Sequence, residues 1–477
     1  MTNIKHPTLF QALLPVGVLI ILLFFNVSYF DDPLGGSNQI ALFIAASVCG
    51  IIASFNRVTW HDIQRKILHT INSAMPAILI LLLIGALSGA WMISGVIPAM
   101  IYYGVDIMHP AYFLLASVVL CAIVSLATGS SWSTVATVGV AIIGVGNAFG
   151  LHQGLVAGAV ISGAYFGDKM SPLSDTTNLA PAIAGTDLFT HIRYMVYTTV
   201  PTLILTLIIF GVIGLFLLTG DTVVDTEFIK QGIGSSFRIT PWLLLVPVFL
   251  IAIIIKKIPP IPAMIAGIAL GILFALIFQP DLLNRLIAEG SFQNKYQLLI
   301  QSTGSTMNLT TGVPEVDELL STGGMQGMLD TVWLIIAALT FGGVMEASGS
   351  LKRVSEMFLK MIYNDTSLVG TTILTCIFFN ITACDQYLSI VIPGKMMQKI
   401  YEQRGLKPEV LSRALEDSGT VTSVLVPWNT CGATQARILG VPTLEYLPFC
   451  FFNLISPLMN IFITSIHYKI RRIKTEA

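Results

Sequence analysis

The segment GDKMSPLSDTTN, residues 167–178, concentrates polar chemistry in a chain that is otherwise mostly apolar. Its polar side chains are Asp168, Lys169, Asp175, Thr176, Thr177 and Asn178. A carboxylate at the centre of a membrane helix costs roughly 2.5–3.5 kcal/mol. We therefore expect both carboxylates to be neutralised by a bound cation or by a proton. Competition between the two would exchange one ion for the other.

Three further polar interruptions occur within apolar stretches, at 128–134 (TGSSWST), 382–387 and 427–434. Each predicts a broken helix, whose free backbone groups need partners inside a bilayer. Carbonyl and side-chain oxygens suit a small hard cation, whereas helix N-termini favour an anion. The additional candidate binding residues are Ser130, Ser131, Asp385, Asn429 and Thr430. The four residues expected to bind Na⁺ are Asp175, Asn178, Asp385 and Asn429.

These polar groups could instead have ordinary structural roles. Asp168 and Lys169 are candidates for a structural ion pair, or Lys169 extends to the membrane edge. Serine and threonine hydroxyls commonly bond to their own helix backbone. Glu346 is a candidate helix cap or partner of Lys352, and Asp417 is expected as an acid near a helix N-terminus.

The composition indicates an integral membrane protein. The 477 residues are 54% hydrophobic and only 11% charged, with a mean hydropathy of +0.80, whereas soluble domains are about one quarter charged. The six cysteines form no CxxC or Cys/His pattern, which argues against a zinc site or a disulfide framework. Phosphate-binding loops, dinucleotide fingerprints and nucleophile elbows are absent from the sequence. We expect no enzymatic activity, no cofactor and no nucleic-acid partner, with the lipid bilayer as the surroundings.

Apolar runs predict an all-α polytopic fold with about ten crossings and two re-entrant helical hairpins. The hairpins are predicted at 110–148 and 366–398, because each stretch is too long for one crossing and is interrupted by polar residues. The predicted crossings are 9–30, 39–55, 71–95, 151–190, 193–218, 241–256, 262–279, 331–349, 411–437 and 443–466.

The distribution of basic residues predicts the orientation in the cell membrane. Most of the 25 Lys and Arg residues fall in segments that lie on one side of this layout. Short cytoplasmic loops carry such an excess, so both termini are expected in the cytoplasm. The long connections at 219–240 and 280–330 are then external, and the second is expected to be a flexible, turn-rich connector.

The two halves of the chain resemble each other, and the charge rule makes them run in opposite directions. The domains expected are N-terminal helices with a cytoplasmic amphipathic linker, a first repeat, a connecting region, an inverted second repeat and a basic tail, at 1–70, 71–218, 219–330, 331–468 and 469–477. In this alignment Asn178 and Asn429 occupy matching places. Paired interruptions in two repeats are typical of the binding site of a transporter.

Four motifs together resemble the NhaC family of sodium/proton antiporters over nearly the whole chain. They are TGSSWST, GDKMSPLSDTTNLAPAIAGTDLFTHIRYM, ACDQYLSIVIPGKM and PWNTCGAT. The resemblance implies inverted repeats with helical hairpins, a homodimer and an elevator-like movement. Ser130 and Ser133 stand where the family more commonly shows threonine and glycine. The family also includes exchangers of organic acids, such as malate for lactate with proton and sodium coupling.

The function expected first is secondary transport that exchanges Na⁺ for H⁺ across the cytoplasmic membrane. The alternative is a Na⁺- or H⁺-coupled exchanger or symporter of a small organic anion or an amino acid. An organic anion needs a cation facing the cavity, for which Lys169 and Arg437 are the candidates. A channel or a membrane sensor belongs to a third class, and a channel would require a continuous polar pore.

Overall fold

A computed structural model describes residues 6–30, 36–217, 226–256, 258–289, 292–308, 317 and 321–473. Within these ranges, nine helices are long and apolar enough to cross a membrane, or up to eleven if each of two bent pairs is one span. The predicted all-α polytopic membrane fold is confirmed. The main apolar core lies between the long helices of both halves, and a second cluster lies around the second hairpin.

Four helices precede the first hairpin. The third helix, α3, has 34 residues and is about 50 Å long at 1.5 Å per residue, which exceeds the hydrocarbon thickness of roughly 30 Å. It joins the predicted crossing 71–95 to the segment expected as an amphipathic linker, and Thr59 caps its N-terminus. The bounds are α1 Leu9–Tyr29, α2 Ser37–Phe55, α3 Trp60–Ile93 and α4 Val96–Ile107.

The first hairpin consists of α5 and α6, and its ends lie together. The rings of Phe113 and Phe149 are 5.3 Å apart between centroids. The next helix, α7, runs parallel to α5, because Gly163 lies against Val118 and Gly167 against Ala122. The chain then breaks and continues through a short helix into a long one. The bounds are α5 Pro110–Thr128, α6 Ser131–Ala148, α7 Gln153–Met170, α8 Asp175–Ala184 and α9 Leu188–Leu217.

The connecting region contains more helix than the sequence predicted. We expected loops at 219–240 and 280–330, but the described parts of both contain short helices, together with the antiparallel strand pair β1 Met307–Asn308 and β2 Ser321–Thr322. Residues 309–316 of the predicted turn-rich segment lie outside the described residues. The helices are α10 Thr226–Ser236, α11 Leu245–Ile255, α12 Pro260–Phe278, α13 Pro280–Ala288 and α14 Lys295–Gly304.

The second hairpin consists of α17 and α18. Its open end is joined by a hydrogen bond of 3.0 Å between the hydroxyls of Thr372 and Tyr401. Helix α19 follows and continues as a π-helical turn, Glu416–Thr420, before the chain breaks. The bounds are α15 Leu329–Ala347, α16 Ser350–Leu359, α17 Asp365–Thr382, α18 Leu388–Gln403, α19 Pro408–Leu415, α20 Thr430–Leu439, α21 Thr443–Tyr446 and α22 Phe451–Ser465.

Left-handed backbone positions recur at the same places in the two halves. The second member of each pair follows the first by 254 or 255 residues. The pairs are Gly95 and Gly349, Gly129 and Cys384, Gly150 and Gly405, and Gly185 and Gly440. This register aligns Ser174 with Asn429, and each of these caps the helix after a break. The sequence alignment of Asn178 with Asn429 was therefore wrong by four residues.

The tips of the two hairpins approach one central cavity. Helices α7 and α19 also meet there by their C-terminal ends, where Lys169 pairs with Asp417. The π-helical turn after α19 contacts the inner end of α17, where Asn380 donates to the carbonyl of Gly419 at 2.9 Å. An inverted repeat requires hairpins that point toward each other in this way. The inversion itself stays a prediction.

The tip of the first hairpin provides a test of this packing. A Cβ added at Gly129 would lie 2.6 Å from the Cβ of Leu173, and φ is +72°. We expect Gly129→Ala to lower stability through left-handed strain of roughly 1–2 kcal/mol and crowding of about 1–3 kcal/mol. Gly405→Ala is the control, because φ is +67° there and no atom lies within 4 Å. Thermal unfolding of both purified variants measures the difference. Equal losses would contradict the close contact.

Candidate functional site

A cavity of 690 Å³ lies where the two hairpin tips meet the two broken helices. Its lining includes the predicted site residues Ser130, Asp168, Asp175, Thr176, Asp385 and Thr430. Residues far apart in the sequence therefore converge on one space. The wall also includes Trp132 and Tyr387, together with apolar residues of α3 and of the segment before α12.

Asp168 lies at the end of α7, and its carboxylate is held from the first hairpin. The hydroxyl of Ser131 donates to its Oδ2 at 2.7 Å. The hydroxyl of Thr177 is 3.0 Å from the carbonyl oxygens of both Asp168 and Lys169. Thr177 thus satisfies carbonyls that lose their helical partners where the helix breaks, and it positions Asp168 rather than facing the cavity.

Asp385 lies at the tip of the second hairpin, just before α18, the second helix of that hairpin. Its Oδ1 accepts from the backbone N–H of Leu388 at 2.9 Å, as an N-capping side chain does. Ser130 occupies the corresponding position of the first hairpin and accepts from the N–H of Ser133 at 3.2 Å. Both tips therefore end in a capped helix start, and the second carries a carboxylate at that point.

Asp175 is the most exposed of the three cavity carboxylates. It is the first residue of α8, where the helix dipole favours negative charge. The hydroxyl of Tyr387, at the second hairpin tip, lies 3.5 Å from Asp175 Oδ2. This long contact links the two halves across the cavity.

Asn178 and Asn429 do not belong to the cavity lining given by the described residues. The carboxamide of Asn178 donates to the carbonyls of Pro172 and Ser174 at 3.0 and 2.7 Å. Asn429 donates to the carbonyl of Asn380 at 3.0 Å. The four residues expected to bind Na⁺ are thus not brought together in this conformation. The side-chain amides of Asn178 and Asn429 bond backbone carbonyls instead.

Lys169 is fully buried and pairs with Asp417. Asp417 also accepts hydrogen bonds from Ser456 at 3.2 Å and from Asn460 at 2.7 Å. Three interpretations from the sequence are corrected. Lys169 neither pairs with Asp168 nor extends to the membrane edge, and Asp417 lies at the inner end of its helix rather than near the N-terminus. The pair joins the two halves beside the cavity.

Glu416 is a buried acid that the sequence did not single out. It is fully buried, and its Oε1 accepts from the hydroxyl of Thr176 at 2.9 Å. Glu416 and Asp417 are adjacent acids inside the predicted crossing 411–437. Two adjacent acids within a crossing were the sequence signal that could have identified Glu416. The break at 427–434, further along the same crossing, contains more polar residues and was therefore predicted as the site instead.

Glu346, Arg437 and Trp428 have structural partners away from the cavity wall. Glu346 pairs with Lys66 at 2.6 Å rather than with Lys352. The guanidinium of Arg437 lies against Gly323 and Gly327. Trp428 donates its indole N–H to the carbonyl of Ile381 at 2.8 Å and so supports the second tip.

The charge of the cavity follows from this arrangement. Its wall carries the carboxylates of Asp168, Asp175 and Asp385, and no basic side chain among the described lining residues. Charges that face one cleft with low-dielectric walls raise the local concentration of ions of the opposite sign. The cavity therefore favours cations. In the described ranges, no three His, Cys, Asp or Glu side chains come close enough to hold a metal ion together.

Comparison with known proteins gives the family. Residues 163–466 match the Na⁺/H⁺ antiporter family. The chain is 36% identical to the malate-2H(+)/Na(+)-lactate antiporter of Bacillus subtilis, over 96% of this chain and 94% of that protein. It is 35% identical to the Na⁺/H⁺ antiporter NhaC of Alkalihalophilus pseudofirmus, over 96% and 95%. The chain belongs to the Na⁺/H⁺ antiporter family.

A further relative has a different pair of substrates in its name. The arginine/ornithine antiporter ArcD of Halobacterium salinarum is 34% identical over 95% of this chain and 91% of that protein. Among solved structures, MtrF of Neisseria gonorrhoeae covers 96% of this chain and 95% of its own, with 14% identity and a TM-score of 0.41. Membership of the Na⁺/H⁺ antiporter family makes this chain a secondary transporter, as the sequence predicted, and not an enzyme.

The buried ion pair of this antiporter gives a stability prediction. Lys169→Met or Asp417→Asn should each destabilise the protein by about 3–5 kcal/mol, because one buried charge is left without its partner. The double variant should recover part of that loss. Lys66→Met is the control, since that partly exposed pair contributes only about 0–1 kcal/mol. Thermal unfolding in detergent provides the comparison. A double variant less stable than either single variant would show that the pair is not a unit.

Proposed function

We propose that this chain exchanges Na⁺ for H⁺ across the cytoplasmic membrane by alternating access. The observation that carries the proposal is the cavity wall, where three carboxylates stand without a basic side chain among the described residues. Such a wall favours a cation over an anion. Among the described residues, the ammonium group of Lys169 adjoins the wall, and it pairs with Asp417 outside the lining.

In the proposed mechanism the cavity carboxylates carry either Na⁺ or protons. A dehydrated carboxylate is costly in the membrane interior, so the site crosses only when a cation or a proton neutralises it. Asp175 and Asp385 are proposed to supply the charge for Na⁺, one from each half. Asn178 and Asn429 are proposed to hold the backbone around them, which fits their hydrogen bonds to carbonyl groups.

The membrane arrangement belongs to the same proposal. We propose that both termini are cytoplasmic, which the positive-inside rule supports. At the described C-terminal end, Arg471 pairs with Glu409 at 3.1 Å and Arg472 pairs with Asp365 at 2.5 Å, so both basic residues are held on the same side as the start of α17 and α19. Inverted repeats, elevator-like movement and a homodimer complete the proposal, the last two on family resemblance.

A second candidate is Na⁺- or H⁺-coupled exchange of a small organic solute. The cavity volume of 690 Å³ favours it, because pockets for small molecules occupy roughly 300–1,000 Å³ and a bare ion needs far less. Two relatives carry malate and lactate or arginine and ornithine in their names. A cationic amino acid suits the carboxylate wall better than an organic anion does.

Transport by purified protein in lipid vesicles separates the two candidates. An imposed Na⁺ gradient should drive proton movement in the opposite direction with no organic solute present, as a pH-sensitive dye inside the vesicles would report. If movement begins only when malate, lactate or arginine is added, the solute exchanger is the correct function. Protein-free vesicles and vesicles with K⁺ in place of Na⁺ are the controls.

The carboxylates can be tested individually. Asp175→Asn and Asp385→Asn should each reduce Na⁺-driven proton movement about tenfold or more, because a contact with a charged group contributes roughly 1.5–3 kcal/mol. Membrane insertion and thermal stability should change little, since asparagine keeps the shape and can still cap a helix. Asp62→Asn, at the exposed start of α3, is the matched control. Full transport in both site variants would remove the assignment.

A further inference from the structure

Two adjacent carboxyl groups, Glu416 and Asp417, lie in opposite surroundings. Asp417 has an ammonium partner in Lys169 and accepts hydrogen bonds from Ser456 and Asn460. Glu416 has no salt-bridge partner in the described part of the chain and accepts one hydroxyl hydrogen bond, from Thr176. Its second oxygen has no hydrogen-bond partner there, although the Thr420 hydroxyl lies nearby.

These surroundings fit two different charge states. A buried carboxylate is tolerated when it is paired and hydrogen-bonded, as Asp417 is. A buried carboxylate without a cation is far more costly, and such a group takes up a proton instead. The position of Glu416 is therefore built for a neutral carboxylic acid. Pairs of acids whose surroundings differ in this way commonly divide roles between them.

Glu416 is also connected to the transport cavity. Thr176 and Ser174 both line the cavity, and their hydroxyl oxygens are 3.2 Å apart. Asp168 lines the same cavity as Ser174, and Thr177 contacts both residues, through the Ser174 hydroxyl and the Asp168 carbonyl. A row of two hydroxyls thus runs from Glu416 into the cavity that Asp168 lines. Glu416 begins a π-helical turn, an irregularity frequent at functional sites.

We propose that Glu416 is a second proton-carrying group, which exchanges its proton with the cavity through Thr176 and Ser174. The inference rests on the proposed Na⁺/H⁺ exchange. Before transfer, the Thr176 hydroxyl turns to donate to Ser174 and accepts a hydrogen bond from protonated Glu416. Glu416 then gives its proton to the Thr176 oxygen, Thr176 gives its own to Ser174, and Ser174 gives its own to Asp168 through the cavity that both line. One proton leaves Glu416, one arrives at Asp168, and Thr176 is left donating to the Glu416 carboxylate, which is the direction of the bond in the structure.

The groups facing Glu416 allow this transfer to respond to ion binding. Asp168 and Lys169 on α7 are charged groups near Glu416, and Asp417 is its neighbour along the chain. Lys169 is neutralised by Asp417. A cation entering the cavity therefore changes the balance mainly at Asp168, the far end of the hydroxyl row. The consequence is one more proton exchanged per Na⁺ than the cavity carboxylates provide alone.

The number of protons exchanged per Na⁺ tests the proposal. In vesicles, the pH gradient and membrane potential at which Na⁺ flux stops give this number. We expect the value for Glu416→Gln to be lower than the wild-type value by one. Glu409→Gln, a buried glutamate on the same helix outside the hydroxyl row, should keep the wild-type value. An unchanged number in Glu416→Gln would overturn the proposal.

Further outcomes keep the inference separate from the proposed function. Wild-type protein without Na⁺-driven proton movement would refute the exchange itself. Glu416→Gln should retain exchange of labelled Na⁺ for Na⁺ at equal pH, and loss of that exchange in folded protein would place Glu416 in the cation site, against the proposal. If Glu416→Gln does not fold, Thr176→Val carries the test, because it should lower the proton number while Thr176→Ser should not. Equal proton numbers in these two variants would also overturn the proposal.

Discussion

The structure depends on satisfying backbone polar groups where helices stop inside the membrane. Helices α7 and α19 both break in apolar surroundings, where an unpaired carbonyl or amide costs several kcal/mol. Side chains supply the missing partners. Thr177 and Asn178 bond carbonyls at the first break, and Asn429 caps α20 while holding the second hairpin. The polar residues that stand out in the sequence therefore divide into those that hold backbone and those that face the cavity.

The charged side chains around the cavity divide in the same way, into those that pair with each other and those that face the cavity. The single buried ammonium among the described residues, Lys169, is used to join the two halves through Asp417, which leaves the cavity wall with carboxylates and hydroxyls. An anion would meet only repulsion from Asp168, Asp175 and Asp385. A cation or a proton would relieve that repulsion. The preference of the proposed exchange for cations therefore follows from the pairing of Lys169 with Asp417, which keeps this ammonium group out of the cavity wall.

The two halves have left-handed backbone residues and helix caps at corresponding positions, with different side chains. Matching left-handed residues set the hairpin tips and helix ends in both. At equivalent tip positions the first half has Ser130 and the second has Asp385. At the break, Ser174 corresponds to Asn429. Capping requires only an oxygen that accepts a hydrogen bond, so evolution was free to place a carboxylate at one tip and to leave the other neutral.

The membrane class, the helical fold, the two hairpins and the location of the polar breaks could be predicted from the sequence, because hydrophobic length and interruption are local properties. The sequence also identified the three cavity carboxylates. The folded structure was needed to show that Lys169 pairs with Asp417, that Asn178 and Asn429 bind backbone carbonyls, and that Glu416 contacts Thr176. The contacts of Lys169 and Glu416 join residues separated by more than 200 positions in the chain, and no local pattern records which polar group finds which partner.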